Sequence, residues 1–232
     1  MKYKYIAITI LTMTTLTVTA QNMSIFSRAT KSGWYPEFLN PVIDAITSND
    51  KQKEILDIGT GPGMLPLMLI KKDSSIQIVG IDIDSVMIDE ARRRVAHKNV
   101  MFQHQKLNSS LEFADNQFDI VTFCSVLFLV GDSVKTNLMN EALRVLKPKG
   151  KIIILTPSGR KSVLSSFIEV WRYRFSFNNL TFPIWKIATS SGGRKWQIQK
   201  WLEQYARENH LNYKSSLTFN NNASLETISK NK

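Results

Sequence analysis

The chain has 232 residues, 43% of them hydrophobic and 21% charged, ordinary globular values that exclude a disordered chain, a collagen-like chain and a polytopic membrane protein. A single cysteine, Cys124, excludes a disulfide framework and a cysteine-rich zinc site, and His97, His104 and His210 lack the spacing of a histidine-built metal site. The formal net charge of +11 lies wholly in the C-terminal part: residues 1–146 carry 15 basic and 15 acidic side chains, residues 147–232 carry 15 and 4.

Such asymmetry suits an anionic partner, which could be nucleic acid, an acidic membrane surface or an acidic substrate; it equally suits a basic surface with no specific partner. Residues 1–22 begin Met1-Lys2-Tyr3-Lys4, continue in an apolar run holding six threonines, and end Val18-Thr19-Ala20. A basic start, a short apolar run and small residues resemble a secretory signal. The run is short for a membrane span. A start at Met23, with residues 1–22 arising from an upstream start choice, is the second reading.

Trp34 to Thr47 carries helical apolar spacing through Phe38, Leu39, Val42, Ile43 and Ile46. Glu54–Ile58 reads as a strand that breaks into Gly59-Thr60-Gly61-Pro62-Gly63. Leu65–Ile70 reads as a helix, Ile76–Ile83 as a second strand, and Asp84-Ser85 as the cap of a helix over Val86–Ala96. Val100–Gln103 is a short strand, Asp115-Asn116-Gln117 a turn and Phe118–Phe123 a buried strand. A helix over Ser133–Leu146 is stopped by Pro148-Lys149-Gly150 before the strand Lys151–Thr156. Residues 157–193 are aromatic and basic, and Ser190-Ser191-Gly192-Gly193 reads as a linker turn. A helix over Arg194–Asn209 follows, then antiparallel strands Leu211–Phe219 and Ala223–Ser229 joined by Asn220-Asn221-Asn222. Strands alternating with helices over 54–156 predict a parallel sheet covered on both faces.

The glycine loop lies directly between a strand and a helix. Its glycines permit positive φ and close approach of backbone to a ligand, and the helix start offers free N–H groups. Position 64 is Met, so the dinucleotide fingerprint is not met. Met64-Leu65-Pro66 cannot end a Walker loop. Asp82, 19 residues after Gly63, stands at the end of the second strand, where an acid can accept both hydroxyls of a ribose. Asp84 is read as a helix cap, Cys124 as a small core residue and His104 as a surface residue.

Four segments together resemble the class I S-adenosylmethionine-dependent methyltransferases, and most closely the small-molecule members that methylate quinone precursors. They are Ile55-Leu56-Asp57-Ile58-Gly59-Thr60-Gly61-Pro62-Gly63, Val79-Gly80-Ile81-Asp82, Phe113 to Val121 and Leu143 to Lys151. The resemblance covers about 55–156. It implies an α/β, Rossmann-like doubly wound sheet of seven strands, mostly parallel, with an antiparallel C-terminal hairpin. It implies a single domain over 23–232 with 157–193 as a substrate-side insertion. S-adenosylmethionine is the implied cofactor. Asp57 and the loop Gly59, Thr60, Gly61 and Gly63 would hold its amino-acid part, Asp82 its ribose and Ile83 its adenine. Where relatives carry an acid for the adenine amine, this chain has Lys106-Leu107-Asn108, and Asn108 would accept through its amide oxygen. Ser125 and Tyr35 are further pocket residues.

No Asp/Asn-Pro-Pro-Tyr/Phe segment follows the strand 118–123, which speaks against amine-directed nucleic-acid members. The expected function is methyl transfer to a small lipophilic or aromatic acceptor, with 160–186 as its lid. The alternatives are an RNA-directed methyltransferase and a non-catalytic donor-binding relative. No metal is implied and no general base stands out. A donor kept inside the cell implies a cytoplasmic location, with membrane association as the alternative.

Overall fold

The computed structural model describes residues 28–47, 53–106, 110–160, 162–173 and 176–231. The signal-like segment 1–22 and the adenine-side candidate Asn108 lie outside the described residues.

Seven strands form one sheet: β1 (Glu54–Ile58), β2 (Gln77–Asp82), β3 (Val100–His104), β4 (Phe118–Cys124), β5 (Leu146–Pro157), β6 (Leu211–Thr218) and β7 (Ala223–Lys230). Their order is β3-β2-β1-β4-β5-β7-β6. β7 pairs antiparallel with both neighbours, and the remaining pairs are parallel. This is the doubly wound sheet with an antiparallel C-terminal hairpin that the sequence predicts. The helices are α1 (Trp34–Thr47), α2 (Met64–Lys72), α3 (Ser85–Arg94), α4 (Asp132–Val145), α5 (Val163–Glu169), α6 (Thr181–Gln199) and α7 (Trp201–Glu208).

The strands carry continuous apolar runs because both faces are covered. Successive side chains divide between two cores, as the two-residue period of a strand requires. Ile55, Ile153 and Leu155 face α1, α2 and the start of α6, against Trp34, Phe38, Leu69 and Phe182. Leu56, Ile152 and Ile154 face α4, the end of α6 and α7, against Met139, Ala142, Trp196 and Ala206. Asp84 caps α3 as expected: its Oδ1 accepts from Val86 N at 2.9 Å and Met87 N at 3.4 Å.

Two sequence expectations are corrected. Pro148-Lys149-Gly150 does not separate helix from strand. β5 begins at Leu146, which pairs with Phe118, while Ile120 pairs with Lys151, so the proline segment is an irregularity inside the strand. Ser190–Gly193 is not a linker. α6 runs unbroken through it, and the break falls at Lys200, whose φ of 49° starts α7 on a new axis.

The reason for the glycines is close packing. A Cβ on Gly193 would stand 2.2 Å from the carbonyl oxygen of Pro157 at the end of β5. Helix propensity alone makes Gly193→Ala a gain of about 1 kcal/mol. The overlap costs about 1–3 kcal/mol or more, so packing decides. Gly193→Ala is expected to lower the urea midpoint; an unchanged or raised midpoint would mean the helix does not seat on β5.

Candidate active-site cleft

The strand order reverses at β1, whose neighbours β2 and β4 carry the chain to opposite sides. Ligands of open α/β sheets bind at the carboxyl ends of strands at this point. A cleft of about 690 Å³ opens there, lined by the glycine loop, the ends of β2 and β4, α1, α4 and Trp185 of α6.

Gly59, Gly61 and Gly63 have φ of 74°, 54° and 76°, the left-handed region that glycine adopts freely. A Cβ on Gly59 would stand 2.3 Å from Val126 Cγ2, whereas one on Gly61 would meet nothing within 4 Å among the described residues. The loop is held from below: Gly59 N and Thr60 N both donate to Ile81 O, at 2.8 and 3.0 Å. α2 then starts with no side-chain cap.

Asp57 is 2% exposed, and register places it between Gly80 and Thr122. Burial pushes its carboxyl up to about 6, against the opposing bond from Thr122 Oγ1, 2.7 Å from Oδ1. Asp82 accepts from Gly61 N at 2.8 Å and from Asp84 N at 3.0 Å, one on each oxygen. Burial pushes its carboxyl up and these two N–H groups oppose the shift. A carboxylate has about four acceptor directions, so two remain.

Ile83 is 57% exposed and bares an apolar face at the cleft. Ser125 has φ of 62°, and its buried Oγ has no hydrogen-bond partner among the described residues. Burial pushes the Tyr35 phenol and the Cys124 thiol far up, so both stay protonated at neutral pH.

The cleft thus gathers Tyr35, Asp57, Gly59, Thr60, Gly61, Asp82, Ile83 and Ser125. Gly63 stands behind it, packed on Ala91 and Phe102. Cys124 both lines the cleft and packs on the core. His104 is exposed, with Nε2 3.0 Å from Ile83 O. One wall was missed in the sequence: Val134, Asn137, Leu138 and Glu141 of α4. Their one-face spacing marks it, but two of the four are polar, so hydrophobic periodicity alone does not flag the stripe.

The electrostatics run against the whole chain. Among the described residues, four carboxylates, those of Asp57, Asp82, Asp84 and Glu141, line the cleft against one cation, Lys106. Glu141 is engaged by Arg144 at 2.8 Å. Asp57, Asp82 and Asp84 are in no ion pair among the described residues. The cleft therefore suits a cationic ligand bearing hydroxyls and repels phosphate.

Residues 55–150 match a family model described as a methyltransferase domain. The chain is 34% identical over 167 residues to the ubiquinone/menaquinone biosynthesis C-methyltransferase UbiE of Rickettsia bellii, covering 68% of this chain and 62% of that one. It is 32% identical over 119 residues to the UbiE of Desulfotalea psychrophila, covering 51% and 47%. It thus spans about half to three-fifths of the length of these curated relatives. Among solved structures, the fold is similar to a SAM-dependent methyltransferase of Aquifex aeolicus (TM-score 0.62, 16% identity, 87% of this chain and 96% of that one). It is also similar to the plantazolicin methyltransferase BpumL in complex with SAH (TM-score 0.63, 14% identity, 91% and 89%).

Fold, loop and switch-point cleft are those of the class I S-adenosylmethionine-dependent methyltransferases. The chain belongs to that class, and its match to the methyltransferase domain lies over residues 55–150.

Proposed function

We propose that the chain transfers a methyl group from S-adenosylmethionine to a carbon of a small, lipophilic, quinone-like or aromatic acceptor. The observation that carries this reading is the acidic cleft in a basic chain: a cationic donor is what three unpaired carboxylates at a glycine loop would attract. The volume also suits it, since pockets for ligands of that size span about 300–1,000 Å³. The relatives' names supply the acceptor class.

Asp57 and the loop backbone from Gly59 to Gly63 hold the amino-acid part, Asp82 the ribose hydroxyls through its free acceptor directions, and Ile83 packs on the adenine. When bound, the donor supplies a methyl group already activated on a sulfonium sulfur. The chain's own task is alignment and exclusion of water. Ser125 and Tyr35 stand on the transfer side. The protonated Tyr35 phenol orients by donating a hydrogen bond, and the protonated Cys124 thiol is no nucleophile.

The domain extends over 23–232, with 157–193 as its acceptor-side insertion. It works in the cytoplasm, where the donor is made. The anionic partner is a membrane surface rather than RNA, whose phosphates the cleft would repel.

The test is a thermal shift of the full chain with S-adenosylmethionine. Ligand at about a hundred times its dissociation constant adds about 2.7 kcal/mol, or about 5–10 °C for a chain of this size. Asp82→Ala is expected to abolish the shift while the ligand-free protein still melts cooperatively. No shift in the well-folded parent would overturn the reading and favour a non-catalytic relative.

A further inference from the structure

Fourteen large apolar side chains are exposed among the described residues, and nine fall within 164–198. Their arrangement is regular. Leu164, Phe167, Ile168 and Trp171 follow at i, i+3, i+4 and i+7 along α5 and the 3₁₀ turn Val170–Arg172 that continues it. They are 73%, 50%, 73% and 80% exposed. That spacing is one stripe of a helix, normally the stripe that faces a core. Here the opposite side does so: Ser166 is fully buried, and Lys186 Nζ of α6 reaches Ser162 O at 3.2 Å and Ser165 Oγ at 3.5 Å. α5 is therefore fastened to the protein by its polar side and presents its apolar side outward. Ile184 and Ile187, one turn apart on α6, add to the exposed surface.

The charge around this face has one sign. Residues 160–200 hold eight lysines and arginines and a single acid, Glu169. Glu169 is engaged by Asn222 Nδ2 at 2.7 Å, at the turn between β6 and β7. Arg160, Arg172, Arg194 and Lys195 are exposed.

We propose that this face docks on an anionic lipid bilayer. An outward apolar stripe that includes a tryptophan and is flanked by Lys and Arg is what the headgroup boundary of such a bilayer binds. Apolar insertion and cation–headgroup attraction then act together. RNA fits less well, because Leu164, Ile168, Ile184 and Ile187 have no ring on which a base stacks. No helix among the described residues is long and apolar enough to cross a membrane, so the contact is peripheral. α6 also sends Trp185 into the cleft, which sets the docking face and the cleft on one helix. A lipophilic acceptor dissolved in the bilayer would then lie close to the site that uses it.

The test is co-sedimentation of the full chain with vesicles of phosphatidylcholine alone or with about one-third phosphatidylglycerol. Binding to the anionic vesicles is expected to exceed binding to neutral ones by tenfold or more and to fall with salt. Ile168→Ser with Trp171→Ser is expected to reduce it at least tenfold while the donor thermal shift is kept. The donor shift reports the cleft and vesicle binding reports this face, so either reading can fail alone. Because a double substitution can disturb α5, vesicles with brominated acyl chains give a second readout. They should quench tryptophan fluorescence in the parent and clearly less in Trp171→Phe. Equal binding by parent and double variant, equal quenching by parent and Trp171→Phe, or salt-sensitive binding to single-stranded RNA but not to vesicles would each overturn the proposal.

Discussion

Asp57→Asn is expected to stabilise the ligand-free chain and to abolish donor binding. The two effects share one cause. Burial moves the Asp57 carboxyl from 3.8 to about 6. Between those values the folded chain binds more protons than the unfolded chain, so stability falls as pH rises through that window. Above pH 6 the buried carboxylate costs on the order of 3 kcal/mol. Asn carries no charge and can still accept from the Thr122 hydroxyl through its carbonyl oxygen, so most of that cost is removed. The check is a urea midpoint for parent and variant at pH 7.5 and pH 4.5. The variant should lead at the higher pH and the gap should narrow at the lower. A variant that is weaker at pH 7.5 would show that the charge is compensated in the free protein. Binding should move the other way, since a cationic donor is drawn by the carboxylate and not by the amide.

Trp34→Ala carries the largest expected loss of stability. Trp34 is fully buried. Its ring lies 5.2–6.5 Å from those of Tyr35, Phe38, Phe182, Trp185 and Phe219. Its Nε1 donates to Thr181 Oγ1 at 2.9 Å. Truncating a buried tryptophan costs about 3–5 kcal/mol, which for this length lowers Tm by about 6–20 °C. Donor affinity should fall as well, because Tyr35 and Trp185, its neighbours in that cluster, line the cleft. Trp34→Phe should recover part of the stability but not the bond to Thr181. A loss below 1 kcal/mol for Trp34→Ala would mean that α1 does not pin α6 across the sheet.

The central sheet was legible because its signals are local. β1 falls where five residues of apolar pattern end in a glycine loop, and Asp84 caps α3 through bonds within three residues. Asp82 could be put at the end of β2, beside the cleft, for the same reason, since strand, loop and spacing agree. The misreading of Ser190–Gly193 has a non-local cause. Two serines and two glycines are turn chemistry by propensity, and only the carbonyl of Pro157 explains glycine inside a helix there. The α4 wall escaped for a related reason: Asn137 and Glu141 face a cleft, so their stripe is not apolar. The aromatic and basic composition of 160–186 was visible from the start. That α5 turns its apolar stripe outward was not, because a one-face spacing does not say which way the face points.

The place of β7 also bears on how the molecule is assembled. It is the last strand in chain order, yet it lies inside the sheet between β5 and β6. During synthesis β6 emerges with no strand to pair with, and β5 keeps an open edge until β7 is made. Trp196 Nε1 and Tyr213 OH likewise wait for Glu226 on β7, which takes both at 2.6 Å. The pairing of β1, β2 and β4 that shapes the cleft needs none of this, because those strands precede β7 by about a hundred residues or more. Assembly is thus ordered from the cleft outward, and the slow, long-range step of strand insertion is left to the far side of the sheet.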